Sequence, residues 1–143
     1  KSFGGTIVTS SKAILKELNN ILIHENEIGS LEIYTTDDAN IFKKQIKIIF
    51  KEQLDYNYQN FQEKIPYPKL KIRSMKTRWG VCNIRDNSVT LNTKLIEYDL
   101  EKLNYVIIHE LSHFIHFNHS KQFWNLVSKY YPNYKQIRKE MKD

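Results

Sequence analysis

The chain has 143 residues, 41% hydrophobic and 27% charged, a composition suited to one globular domain with its own core and unlike that of a disordered chain. Its apolar runs are only a few residues long, which excludes a membrane-spanning helix, and no stretch has the layout of a secretion leader. Basic side chains outnumber acidic ones by 22 to 16, a net charge of +6, which favours polyanions or acidic substrates as partners.

In chain order, residues 11–25 read as a helix, because Ile14, Leu15, Leu18, Ile21 and Leu22 recur at helical spacing. Gly29 stops it, and residues 31–35 alternate like a short strand. Asp37 or Asp38 can cap a longer helix containing Ile41, Phe42, Ile46, Ile49, Phe50 and Leu54, which ends before Pro66 and Pro68. Leu70 and Ile72 then alternate with Lys69, Lys71 and Arg73, so the even positions form the apolar face of a strand. The alternation changes phase at Met75, Thr77 and Trp79, which predicts a bulge or bend near Ser74. A hairpin is expected to turn at Asp86-Asn87 and return through Val89 and Leu91. Helices are predicted over about 100–117, about 120–130, and from about 134. The expected fold class is α+β, a small antiparallel sheet or hairpin combined with helices, in one domain over residues 1–143.

The chemistry concentrates in one window. Four of the five histidines lie between His109 and His119, and His109-Glu110-Leu111-Ser112-His113 is the HExxH pattern. Residues four apart share a helix face, so both imidazoles can reach one ion at roughly 2.0–2.1 Å per bond. Glu110 lies about 100° further round the helix, placed to act as a general base on a water without being a ligand. Leu103, Ile107, Leu111 and Phe114 form an apolar stripe that gives this helix a reason to be buried.

Two residues compete as third ligand. His116 would share the ligand face of a continuing helix, yet it would stand roughly 10 Å along the axis from His109. His119 follows Asn118, a residue suited to a left-handed helix terminator, and its spacing from His113 is that of HExxHxxGxxH metalloproteases, with His116 at the glycine position. Reach selects His119. The metal ligands are therefore His109, His113 and His119, the catalytic residue is Glu110, and the expected cofactor is Zn2+. Three nitrogens leave a fourth position for water, as catalytic zinc requires. An amphipathic helix with surface histidines would produce HExxH without any metal, and the spaced third histidine weighs against that. An oxyanion-stabilising group is also expected, with His116, Arg78 and the C-terminal tyrosines as candidates. His24, in a polar stretch, reads as a surface residue, and Cys82 as a small buried side chain. A lone cysteine and no visible leader make the cytoplasm the expected compartment.

The runs Thr77-Arg78-Trp79-Gly80-Val81-Cys82, Val89-Thr90-Leu91-Asn92 and Tyr105-Val106-Ile107-Ile108, then Asn118-His119-Ser120, Phe123-Trp124 and Pro132-Asn133-Tyr134-Lys135, resemble the YgjP-like metallopeptidase domain. Val81 departs from the serine usual there. The resemblance covers a core of about 37–143, leaving 1–36 as a divergent N-terminal part. It implies a minimal zincin-like fold with the histidine of Asn118-His119-Ser120 as third ligand, and a zinc peptidase acting on peptides or unfolded protein. The HExxH motif with a late histidine is also similar to WLM and SprT-like proteases. That likeness makes nucleic acid a further candidate partner through the basic segment 64–78, which has six basic and no acidic side chains. A strand flanking the cleft there could pair with an extended peptide. Two rival readings are a metal-dependent nucleotide phosphohydrolase and a non-catalytic metal-stabilised binding module. The chain has only four glycines and no phosphate-cradling glycine loop, which weighs against the first. The retained Glu110 weighs against the second.

Overall fold

The computed structural model describes residues 36–142. The helix expected over 11–25, the strand over 31–35 and His24 lie outside the described residues. Helix α1 (Thr36–Asn60) turns Ile46, Ile49, Phe50, Leu54 and Asn57 inward at spacings of three and four. Ile41 and Ile48 are about half exposed, so the buried stripe is narrower than the apolar content of the helix suggests.

Strands β1 (Lys69–Arg73), β2 (Gly80–Asn83) and β3 (Ser88–Asn92) form one sheet in the order β1-β3-β2. The predicted hairpin is β2 with β3, antiparallel, with Cys82 opposite Val89. Its turn places Asn87 at φ 53, a left-handed conformation that asparagine accepts at low cost. The small sheet expected as antiparallel is mixed: β1 runs parallel to β3, with Leu70 opposite Val89 and Ile72 opposite Leu91. The phase change near Ser74 marks a bend rather than a bulge. The chain leaves the sheet after Arg73, crosses over β3 and re-enters at Gly80 on its other side. Leu70 and Ile72 face the core as predicted, while all five β3 residues are buried because that strand is central.

The crossover loop is held by one side chain. Buried Asn92 donates through Nδ2 to the carbonyls of Met75 and Arg78, both at 2.8 Å. Its Oδ1 accepts from the Lys94 amide at 3.0 Å, opening a short 3-10 helix (Thr93–Glu97). Asn92→Ala strands two carbonyls and one amide, and at roughly 1 kcal/mol per lost bond it is expected to cost about 2–3 kcal/mol of stability. Urea unfolding is the check, and an unchanged midpoint would contradict this role.

Helix α2 (Leu100–Ser112) is the hub, packing against α1, β2, β3 and the two C-terminal helices, α3 (Lys121–Tyr130) and α4 (Tyr134–Glu140). Asp99 caps it by accepting from the Lys102 amide at 3.1 Å. Leu103, Ile107 and Leu111 are fully buried, and Phe114 packs on the edge of the same core. Burying Ile137 and Met141 ties α4 down, and Lys102 adds an ion pair to Glu140 at 2.6 Å.

Candidate active site

Helix α2 stops earlier than its pattern suggests. The predicted span reached 117, whereas the last helical residue is Ser112, followed by a tightened turn in which Ile115 and His116 both donate to the Ser112 carbonyl. Asn118 does not adopt the left-handed conformation expected of it; among the described non-glycine residues only Asn87 has positive φ. The reversal is made by this tightened turn and completed by Ser120, whose Oγ caps α3 by accepting from the Phe123 amide at 3.2 Å. His119, immediately before that cap, is brought back over α2.

The three histidines selected from spacing meet. His119 Nε2 lies 3.1 Å from His113 Nε2 and 3.2 Å from His109 Nε2. Four-coordinate geometry with metal–nitrogen bonds of roughly 2.0–2.1 Å needs nitrogens roughly 3.3 Å apart, so the cluster is the right size to hold a metal ion. His113 Nδ1 lies 3.2 Å from the His116 carbonyl, which can only accept; the proton is therefore on Nδ1 and the Nε2 lone pair faces the cluster. His109 Nδ1 is 3.3 Å from the Tyr105 hydroxyl. Burial holds His109 far down, to about 3, with His113 and His119 adding to the shift, and desolvation lowers those two as well. All three rings are thus in the neutral form that ligates metals. Only the backbone of His116 takes part; its side chain is outside the cluster.

Glu110 is buried beside the trio, and burial pushes its carboxyl up to about 8, against the opposing pull of Arg78. Gly80 on β2 is required by this carboxylate: a Cβ there would lie 2.9 Å from Glu110 Oε2 and 3.0 Å from Val106 Cγ1. A cation at the trio would favour ionised Glu110, whose proton is mostly retained at pH 7 when its pKa is about 8. Metal binding at pH 7 is therefore expected to release about one proton from Glu110. That release should fade as pH rises through 8, and Glu110→Gln should remove it. Calorimetry in buffers of different ionisation enthalpy reads the proton count, and equal counts for both proteins would refute the assignment.

The trio and Glu110 open into a cavity of about 820 Å³ lined by residues of both β2 and α4. Of the oxyanion candidates, Arg78 lines it, whereas His116 and the C-terminal tyrosines do not. Cys82 also lines it, half-buried, its thiol pushed up to about 12 by burial and by Glu110, hence protonated and unreactive. The basic segment 64–78 is not the cleft strand. β1 is the far edge of the sheet, Lys69 and Lys71 pair with Asp86, and the strand flanking the cavity is β2.

Three contributors were not singled out as site residues by motif spacing. Tyr105 contacts His109 from one turn earlier on α2. Trp124 stacks on His119 with ring centroids 5.6 Å apart and on Tyr134 at 5.0 Å. Arg138 stands over the Trp124 ring at 4.6 Å. An Arg at 138 resembles any exposed helical cation until α4 is folded against α2.

The YgjP-like metallopeptidase domain model matches residues 8–143. The chain belongs to the YgjP-like metallopeptidase family. Among solved structures, it is similar to the metallopeptidase zymogen abylysin of Pyrococcus abyssi, with 25% identity and a TM-score of 0.57 over 64% of this chain and 90% of that one. It is also similar to the metallopeptidase zymogen jannalysin of Methanocaldococcus jannaschii, with 29% identity and a TM-score of 0.50 over 67% and 92%. Comparison with curated proteins yields no match. Family and neighbours together make this a metallopeptidase of the α+β, zincin-like class, and no helix among the described residues is long and apolar enough to cross a membrane.

Proposed function

We propose that this protein is a zinc peptidase of the HExxH type, with His109, His113 and His119 as ligands and Glu110 as general base. The observation that carries this reading is the convergence of three imidazole Nε2 atoms at 3.1 and 3.2 Å beside a buried carboxyl, at the floor of an open cavity. A donor set of three neutral imidazoles suits zinc, and among the described residues no fourth protein ligand joins the cluster, which suits catalysis better than a closed structural site.

Bound zinc would supply Lewis acidity, lowering the pKa of water towards about 7 and polarising a peptide carbonyl. The remaining work belongs to the chain. Glu110 takes a proton from the attacking water at a carboxylate oxygen and delivers it to the leaving amine nitrogen. Held ionised by a cation at the trio, Glu110 is ready to accept that proton, and Gly80 leaves it room. The His116 carbonyl and the Tyr105 hydroxyl orient the ligand rings. The edge of β2 along the cavity, without a strand partner among the described residues, suits an extended peptide, which can add to it as a strand. Arg78 is the side chain placed to stabilise developing negative charge.

The zinc-loaded protein is expected to cleave unfolded polypeptide, to lose that activity on chelation and to regain it with zinc. Hydrolysis of nucleoside triphosphates with no polypeptide cleavage would overturn the reading. Action on nucleic-acid-bound proteins rests on the likeness to WLM and SprT-like proteases; a DNA-stimulated rate would support it. A cytoplasmic location is part of the same proposal, supported by the unpaired Cys82.

A further inference from the structure

The cavity carries a charge pattern that general peptide hydrolysis leaves unexplained. Among the described residues five cations line it, Arg78, Lys135, Arg138, Lys139 and Lys142, and Glu110 is the single carboxyl. Several lysines elsewhere are neutralised: Lys51 by Asp55, Lys102 by Glu140 and Lys129 by Glu63. None of the five cavity cations has an ion pair among the described residues.

Their arrangement is ordered. Lys135, Arg138 and Lys139 form a row on one side of α4, at spacings of three and four from Lys135, and Lys142 follows just beyond the end of the helix. Ile137 and Met141 are buried beneath it. From Lys135 to Lys139 the row spans about 6 Å of α4, four residues at about 1.5 Å each, and Lys142 extends it past the helix end. Arg138 is its fixed member, seated 4.6 Å over the Trp124 ring that also stacks on His119, and its charge is felt at His109 and His119. The same cavity is lined by β2, whose outer edge has no strand partner among the described residues. In a peptide extended along that edge, every second side chain returns to the same side about 7 Å further on. Two such side chains fit within the length of the α4 row with its Lys142 extension.

We propose that the cavity selects acidic peptide segments, the α4 row accepting Asp or Glu side chains at alternate positions. This names the substrate class of the site and rests on the peptidase reading of it. A sugar–phosphate chain would meet the same charge. The free strand edge and the apolar lining from Trp79, Val81, Ile84 and Met141 serve a peptide better, offering backbone pairing together with side-chain contact.

Matched fluorogenic peptides with acidic, neutral or basic residues at alternate positions test this on the zinc-loaded full chain. Binding of the same peptides to the Glu110→Gln protein, read by fluorescence anisotropy, needs no turnover. Acidic peptides are expected to exceed neutral ones about tenfold in kcat/KM, mainly through KM, with the same order in binding. The gap should narrow at about 0.5 M salt, where charge is screened within about 4 Å. The combined variant Lys135→Glu, Lys139→Glu, Lys142→Glu should invert the order, with basic peptides gaining, which an unfolded protein could not do. Lys142→Glu alone, beyond the end of α4, should move it in the same direction by less. An unchanged order in these variants overturns the proposal, as does a wild-type preference for neutral or basic peptides. Stronger binding of a single-stranded oligonucleotide or a nucleoside triphosphate than of the acidic peptide overturns it too. Charge-ordered binding without cleavage would support the selection and count against the peptidase reading.

Discussion

Glu110→Gln is expected to lower kcat on unfolded polypeptide by about 10³-fold, within the range of roughly 10²–10⁴ that a positioned general base contributes, while bound metal stays stoichiometric. The substitution preserves shape and removes only the capacity to take a proton. Glu110 is 5% exposed and its carboxylate oxygen lies where a Cβ on Gly80 would nearly touch it, so an isosteric amide fits where a larger change would displace β2. Glutamine also relieves the cost of ionising a buried carboxyl whose pKa is raised to about 8. The metal-free variant should therefore be no less stable than wild type, with an advantage that opens above about pH 4.5 and grows up to about pH 8. The sign follows from linkage: the folded state holds the Glu110 proton between pH 4.5 and 8 while the unfolded state has lost it, so wild-type stability falls as pH rises through that window. Metal analysis, peptide turnover and urea unfolding on the same preparations separate these effects. Activity above a tenth of wild type would remove Glu110 from the mechanism.

His119→Ala should abolish stoichiometric zinc, with affinity falling by more than about 100-fold, since loss of a ligand exceeds the roughly 10–100-fold cost of losing an outer-shell partner. His116→Ala should bind zinc like wild type. The contrast has a structural reason: His119 contributes Nε2 to the cluster, whereas His116 contributes only a backbone carbonyl to His113, and alanine keeps that carbonyl. Zinc should therefore raise the Tm of wild type and of His116→Ala and leave that of His119→Ala unmoved. A stabilising ligand at about 100 times its Kd adds about 2.7 kcal/mol, enough to read in a melting curve. Zinc retained by His119→Ala and lost by His116→Ala would reverse the ligand assignment.

The competition between those two histidines shows how far the sequence reaches. Helical rise alone disfavours His116, because a rigid helix fixes how far apart its side chains stand. The way His119 returns was less legible. The expected device was a left-handed Asn118 after a helix running to 117. The chain instead leaves the helix at Ser112, through a tightened turn closed by the Ser120 cap. Both routes bring His119 back, since the spacing demands a reversal somewhere within six residues, but local propensity does not choose between them. Strand pairing was legible to a similar depth. Alternation placed Leu70 and Ile72 on the core face, yet a phase change reads the same whether a strand bulges or ends. Only the position of β3 between its neighbours shows that β1 and β2 lie on opposite sides of it.

That distinction decides what the basic residues do. In the sequence they form one run, 64–78, beside the cleft motif. In the fold, Lys69 and Lys71 belong to the far edge of the sheet and are paired with Asp86, while the cations that line the cavity come mostly from α4, more than fifty residues later. Sequence by itself pointed to the histidine trio, the α+β class and the apolar faces: the faces and the His109–His113 pair follow from periodicities of 3.6 or 2 that act within a few residues, and His119 from how far a side chain on a continuing helix can reach. Tertiary structure decided which strand flanks the cavity, where the helix ends, and which charges face the metal site. These depend on contacts between segments far apart in the chain, and no local pattern encodes the distance between α4 and β2.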